Sequence, residues 1–419
     1  MNNTVSFLQN TADSLTSDLS ERKTAFELID AGLAGKNRIT ISVVQLGRDR
    51  RLVLDEWGQD KDKDKNADEA ELNVTQKERV GYSDRLKKAL RYVSEFQSDI
   101  TIFPEFAFPL DFTSDAQFDG VLIAGQLSDA NPELIQTEEA LLHARMDWLK
   151  VASRRIARLA QMTRTEEPRR STRALDSFLE KTERIARFDP SVQFYQNAIK
   201  LINSAGSRAI AYKNVLTVAE LLTDRKQIIR GAGYSALKAG SGNILLSLGA
   251  DFMDNTEHYV GEYRLILKLL KLFNEQKYEP MYRFDMQSLV SHYEEQVRLP
   301  ILAVIAREQV WPHHHDRILA TFRENCGLRL ALYANGSAAN GAVDGGSAIF
   351  FSEKDYDGDL PEATPDHYVN YRMTCPPLKD RNIFGAIVPR ATDGVLSVTL
   401  DSASGDIRFS GLKYHPLPE

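Results

Sequence analysis

The sequence predicts an α/β fold of packed sheet and helix layers. A short β-branched segment, Arg38–Gln45, is bounded by turn residues and reads as a buried strand. A helical stretch from Ser83 follows it, and two more apolar strands, Asp99–Phe103 and Gly120–Gly125, come next. Strand, helix, strand, strand at these lengths is what a sheet with helices on its face requires. The composition agrees. Of 419 residues, 42% are hydrophobic and 26% charged, the balance of a globular chain rather than a collagen-like or disordered one.

The elements follow in chain order. Residues 1–37 form a polar, helical N-terminal segment ending near Gly35. The charge run Asp60–Glu69 is a solvated loop. Ser83 is a suitable N-cap, with Leu86, Ala89, Leu90, Val93 and Phe96 on one face at three- and four-residue spacing. From 130 to 190 the pattern is helical, with Leu142, Met146, Leu149, Ala152, Ile156 and Leu159 on one stripe and a break at Pro168. Gln193–Ile202 and Ala209–Lys213 read as a hairpin-like pair of strands. Glu262–Glu275 is helical, and Leu328–Ala334, Ser347–Phe351 and Val395–Leu400 are later strands. No repeat of solenoid period is present.

Charge is unevenly placed. The chain carries 52 Lys+Arg against 59 Asp+Glu, a net −7, which is not the balance of a nucleic-acid binder. Yet residues 141–187 hold twelve Lys/Arg and six Asp/Glu, a local +6 that leaves −13 for the rest of the chain. The arginines lie mostly off the apolar stripes. They form either a solvated face or a docking face for an acidic protein or nucleic-acid partner.

Several classes are excluded or set aside. Apolar runs such as Ile301–Ala306 are too short to cross a bilayer, so no membrane association is expected. No basic region followed by an apolar stretch opens the sequence, and two cysteines cannot make a disulfide framework. Both are expected as free thiols in a reducing cytoplasm. Trp311–Asp316 contains three consecutive histidines, but adjacent side chains diverge on a strand or helix and no second ligand motif accompanies them. Gly231–Gly233 and Gly240–Gly242 lack the lysine–serine/threonine ending of a phosphate loop. No metal or cofactor is expected.

The chemistry-bearing candidate is Glu105. It stands directly after a buried strand in Ile102-Phe-Pro-Glu-Phe-Ala-Phe108. Three phenylalanines around it would desolvate the carboxylate, which raises a carboxyl pKa and suits it to general-base work. A carboxylate capping the following turn is the plainer alternative.

The order of segments resembles the nitrilase, or carbon–nitrogen hydrolase, superfamily. The resemblance rests on the strand ending at Gln45, Ile102-Phe-Pro-Glu105, Ile123-Ala-Gly125, and Tyr195 to Gly206. It continues through Tyr212-Lys213 with Glu220 seven residues on, Phe322–Asn325, Tyr333-Ala-Asn335 and Gly345–Ile349. It implies an α-β-β-α sandwich over 1–419 with large helical insertions at 130–190 and within 240–280. It also implies homo-oligomers that pair through helices. In that family a glutamate, a lysine and a cysteine act together on an amide or nitrile carbon. By resemblance Glu105 is the base, Lys213 the oxyanion stabiliser and Glu220 the supporting glutamate, while Lys268 and Lys271 lie on a polar helix stripe and fit less well.

The third member is where the sequence departs. The family's cysteine–aromatic–aspartate pattern finds its counterpart in Tyr282-Arg-Phe-Asp285, which puts Arg283 in the cysteine's position, or in Leu248-Gly-Ala-Asp251, which puts Gly249 there. An arginine there would pair with Glu105. The two real cysteines, Cys326 and Cys375, sit elsewhere, and a free cysteine is more often a packed hydrophobe than a nucleophile. The expectation is a protein with a degenerate triad that binds a ligand or partner or serves assembly, with a bacterial defence complex as one setting the resemblance implies. An amide or nitrile hydrolase using one of those cysteines is the alternative, and a different chemistry in the same pocket is a third.

Overall fold

The computed structural model describes residues 26–47, 69–109, 119–129, 194–213, 227–229, 234–240, 242–249, 251, 301–306, 315, 318, 328–336, 345–360, 369–374, 382–389, 392–402 and 406–417. In chain order the elements are β1 Phe26–Asp30, β2 Arg38–Gln45, α1 Glu69–Glu95, β3 Ile100–Ile102, β4 Val121–Asp129, β5 Phe194–Asn203 and β6 Gly206–Tyr212. Then come β7 Gln227–Ile229, β8 Tyr234–Ala239, β9 Gly242–Leu248, β10 Ile301–Ala306, β11 Leu330–Asn335 and β12 Ala348–Ser352. A 3-10 turn at Glu353–Asp355 precedes β13 Val369–Thr374, β14 Asn382–Ile387, β15 Gly394–Asp401 and β16 Arg408–Pro416.

These strands make two mixed sheets. One has the order β1-β8-β9-β10-β11-β12-β14-β13, with β9, β10 and β11 parallel. The other has the order β16-β15-β2-β3-β4-β5-β6, with β2, β3 and β4 parallel and β7 beside β5. Helix α1 joins the parallel pair β2 and β3, the crossover that such a pair needs.

Alternation along the strands builds the layers. Ile39, Ile41 and Val43 of β2 share one buried core with Ile100, Ile102, Ile123, Ile199 and Leu201, and with Leu246, Leu248, Ala303, Ile305, Leu332 and Phe351 of the other sheet. The opposite face of β2–β4 carries Val44, Leu122 and Ala124, which pack with Phe103 and Phe108 against Tyr82, Leu86, Ala89, Leu90 and Val93 of α1. Tyr82 donates its hydroxyl to Ala107 O at 2.5 Å. Arg85 reaches Asp393 at 2.8 Å and Gly47 O at 2.7 Å, so the helix is fixed at its polar edge as well. Val304, Ala331, Tyr333 and Phe350 on the outer side of the first sheet are also buried, so these strands are apolar on both faces, as sheets covered on both sides must be.

Several expectations are corrected. The N-terminal segment is not helical to Gly35: Phe26–Asp30 pairs in parallel with β8 as an edge strand. Its mixed Phe-Glu-Leu-Ile-Asp pattern carries too little period to read as strand in isolation. Helix α1 starts at Glu69, so Ser83 lies in its interior rather than at its cap. Phe96 lies beyond the helix end, in the turn toward β3. Within 240–280, Gly242–Leu248 is β9, a central strand, and Gly240 makes its tight turn from β8. Helical insertions are not what the described residues contain: α1 is the one α-helix whose span is described, and 130–190, most of 250–280, Glu262–Glu275 and Phe322–Asn325 lie outside them. Among the described residues no helix is long and apolar enough to cross a membrane.

Candidate functional site

Strand β3 ends at Ile102, and the chain then turns across the end of the two-sheet core. Phe103 N donates to Ile123 O at 2.7 Å, keeping the segment beside β4, and Glu105 N donates to Ala306 O, at the end of β10 in the other sheet, at 3.3 Å. Glu105 is therefore held between the sheets by its backbone. Phe106 takes φ of 59°, a left-handed conformation uncommon for a bulky residue, and the turn closes with Ala107 N on Pro104 O at 3.3 Å.

Gly125 makes this placement possible. It lies on the inter-sheet face of β4, two residues after buried Ile123. A Cβ there would stand 2.7 Å from the Glu105 Cα and 3.2 Å from its Cγ. Only a residue without a side chain lets the Glu105 backbone approach this closely.

Lys213 and Asn197 both donate to the carboxylate. Lys213 Nζ donates to Glu105 Oε1 at 2.7 Å, and Asn197 Nδ2 donates to the same oxygen. Lys213 follows β6 directly, and its backbone N–H donates to Asn197 O at 2.8 Å, so β5 and β6 deliver both side chains to one place. The side chains of Glu105 and Lys213 are each 2% exposed, and Asn197 is fully buried. Burial of two opposite charges demands close pairing and added hydrogen bonds, which this cluster supplies.

The environment differs from the sequence expectation in one respect. Phe103 and Phe108 do not wall the carboxylate; they face α1 on the other side of the sheet. Position between the sheets is what removes Glu105 from water. The partner is an ammonium at hydrogen-bond distance, which favours the ionised carboxylate and opposes the isolated, desolvated base read from the sequence.

Gly249 stands at the same end of the core. It follows β9 with φ of 31°, and its N–H donates to Ile305 O at 2.8 Å, one residue before the carbonyl that accepts Glu105 N–H. Asp251, helical and buried, comes two residues later. Glu105 and Gly249 thus both anchor to the last two residues of β10, and at Gly249 there is no side chain to react.

A second buried polar group ties the sheets together nearby. Gln45 at the end of β2 donates Nε2 to Pro389 O at 2.6 Å and to Thr392 O at 2.7 Å, and its Oε1 accepts Ser347 N–H at 2.7 Å. Ser347 Oγ accepts Asn335 N–H at 2.9 Å and donates to Asn335 O at 3.0 Å. Asn335 is the register partner of Ala306. The Gly345-Gly-Ser and Tyr333-Ala-Asn segments therefore serve as a lock between sheets. His315, from the histidine run, bonds through Nε2 to Gly346 O at 2.8 Å and packs edge-on against Tyr333 and Phe350, a structural placement.

Of the sequence candidates, Glu105 and Lys213 are brought together. Glu220, Arg283, Lys268, Lys271, Cys326 and Cys375 lie outside the described residues, as does the basic stretch 141–187. Asn197 and Gly125 received no role from the sequence. Their signal was positional: a polar residue and a glycine on strand faces otherwise filled by Ile199, Leu201 and Ile123.

No family model matches the chain, and no curated protein matches it. Solved structures do. The glutamine-dependent NAD+ synthetase from Acinetobacter baumannii, in complex with ADP, matches over 91% of this chain at 6% identity with a TM-score of 0.40. The chain spans about half of that protein, 49% of its length. An amidase from Nesterenkonia sp. matches over 86% of this chain and 94% of its own, at 11% identity and a TM-score of 0.37. A cysteine-to-alanine mutant of the Nesterenkonia AN1 amidase, from the nitrilase superfamily, gives 11% identity, the same 86% and 94% coverage and a TM-score of 0.36. The similar structures are nitrilase-superfamily amidases and an NAD+ synthetase.

Proposed function

We propose that the chain is a carbon–nitrogen-hydrolase-like protein that keeps the glutamate and lysine of the triad and lacks its thiol. It then acts by binding a ligand or partner, or as an assembly module. The observation that carries this reading is the buried Glu105–Lys213 pair at 2.7 Å with Gly249, rather than a cysteine, at the turn after β9. A glycine supplies no nucleophile, and losing the nucleophile of a triad costs on the order of a million-fold in turnover in a serine protease. A carboxylate already holding an ammonium is also a poor base. Of the two positions weighed from the sequence for the missing cysteine, Gly249 anchors to the end of β10 beside the residue that anchors Glu105, and Arg283 lies outside the described residues.

The basic stretch 141–187 is the docking face in this proposal, for an acidic protein or a nucleic acid. Homo-oligomerisation and service in a bacterial defence complex belong to the same proposal and rest on the resemblance alone.

The test is turnover of small primary amides and nitriles by the wild type, Glu105→Gln and Cys326→Ala. Absence of turnover in all three is expected. Wild-type turnover lost in both variants defeats the proposal in favour of a thiol hydrolase.

A further inference from the structure

We infer that Asn197 is the positioning residue of the Glu105–Lys213 centre, acting through Glu105 Oε1 to keep Lys213 a charged, paired ammonium. Two independent bonds place it there. Its side-chain amide donates to the oxygen that also accepts Lys213 Nζ, and its carbonyl accepts the Lys213 backbone N–H at 2.8 Å. One residue thus fixes both the rotation of the carboxylate and the height of the lysine.

The physical consequence runs in one direction. A hydrogen bond to the charged form of a carboxylate favours that form. A carboxylate held charged in a buried site in turn holds the proton on its ammonium partner, because either charge alone would be costly there. The side chain of Asn197 acts on the lysine's chemistry through Glu105, and its removal loosens Lys213's proton. A neutral amine is the nucleophilic form, so the effect is readable as reactivity.

The inference takes from the proposed function only the Glu105–Lys213 pairing. Its test needs no turnover, so finding a thiol hydrolase would overturn that proposal and leave this inference standing.

The experiment is acylation of lysines in the full-length protein at fixed neutral pH with a small activated ester, followed by peptide mass mapping. Lys200, on β5 with Asn197 and bonded to Ser128 Oγ at 3.1 Å, is the internal reference for loosening of the strand. Asn197→Leu removes the donor at similar volume. It should raise the Lys213 rate relative to Lys200 on the order of tenfold, the weight of one hydrogen bond to a charged group. Glu105→Gln should raise it further, and Asn197→Leu should add nothing in the Glu105→Gln background. Asn197→Ala also removes the donor, carries the same expectation and replaces Asn197→Leu if that variant does not fold. An unchanged Lys213 rate, a parallel rise at Lys200, or an additive effect in the double variant overturns the inference.

Discussion

A Cβ added to Gly125 would sit 2.7 Å from the Cα of Glu105. Strand β4 and the turn after β3 are thus in backbone contact where the charged pair is seated. Neither side can give way through a flexible side chain. Gly125→Ala should therefore destabilise the protein by about 1–3 kcal/mol, the range for overpacking a dense core. Urea unfolding of the variant beside wild type reads this; an unchanged midpoint would show that the two segments are not in contact.

Glu105 and Lys213 should be strongly coupled in stability. Removing one member leaves an uncompensated buried charge, which costs roughly 3–5 kcal/mol, whereas removing both leaves none. The Lys213→Met/Glu105→Gln double variant should cost clearly less than the sum of the two single variants. A double-mutant cycle from denaturant unfolding measures the coupling. Strict additivity would contradict the buried pair.

Gln45 should be a large stability determinant without any role at the charged centre. Its side chain holds Pro389 O, Thr392 O and Ser347 N–H. Gln45→Leu strips the buried Ser347 N–H and the part-buried Thr392 O of this partner, each on the order of 1–3 kcal/mol at most, while Pro389 O keeps the Thr392 N–H and Oγ1 donors. Thermal unfolding should fall clearly, while Lys213 acylation relative to Lys200 should not change.

His415 should give the protein an acid-sensitive edge. It lies on β16, stacked on Phe96 at 4.0 Å between ring centroids and edge-on to Tyr92 at 6.2 Å. Burial, and then Lys413, push its pKa below the ordinary 6.5. The unfolded chain binds that proton more tightly than the folded one. The contribution to stability is therefore fully present above about pH 6.5 and is lost as pH falls through the lowered folded value. His415→Phe should flatten this part of a stability–pH profile measured by denaturant unfolding. An identical slope in the variant would assign the acid sensitivity to other groups.

The basic stretch 141–187 should bind a phosphate-bearing polymer in a salt-dependent way if nucleic acid is the partner. Each phosphate contact contributes about −0.9 to the slope of log affinity against log salt on duplex DNA. A titration across salt concentrations with duplex and single-stranded probes reads the slope. A flat line would assign the stretch to a protein partner or to solvent.

Much of the second sheet was legible in the sequence. Arg38–Gln45, Gly120–Gly125, Gln193–Ile202 and Val395–Leu400 are apolar runs or alternations that local pattern reveals, and they became β2, β4, β5 and β15. Strand β9 was not, because Gly242-Asn-Ile-Leu-Leu-Ser-Leu248 follows a glycine-rich turn and reads as irregular until β10 pairs with it. β1, with only five residues, was hidden for the same reason: its partner β8 is more than two hundred residues away.

At the site, Glu105 and Lys213 could be named from residue type and position. Their pairing could not, since 108 residues separate them and only the fold closes that gap. Asn197 and Gly125 needed still more, because their roles are set by which face of a strand they occupy. That Phe103 and Phe108 turn away from Glu105 was hidden too, since Glu105 is offset from both by the turn at Pro104.

The central claim is that no thiol attacks at this centre. Acid-quenched intact mass of the wild-type protein during incubation with small primary amides tests it most directly, because a cysteine nucleophile would accumulate as a thioester. The account predicts the unmodified mass at every time point. An acyl adduct mapped to Cys326 or Cys375, and abolished by Glu105→Gln, would contradict it.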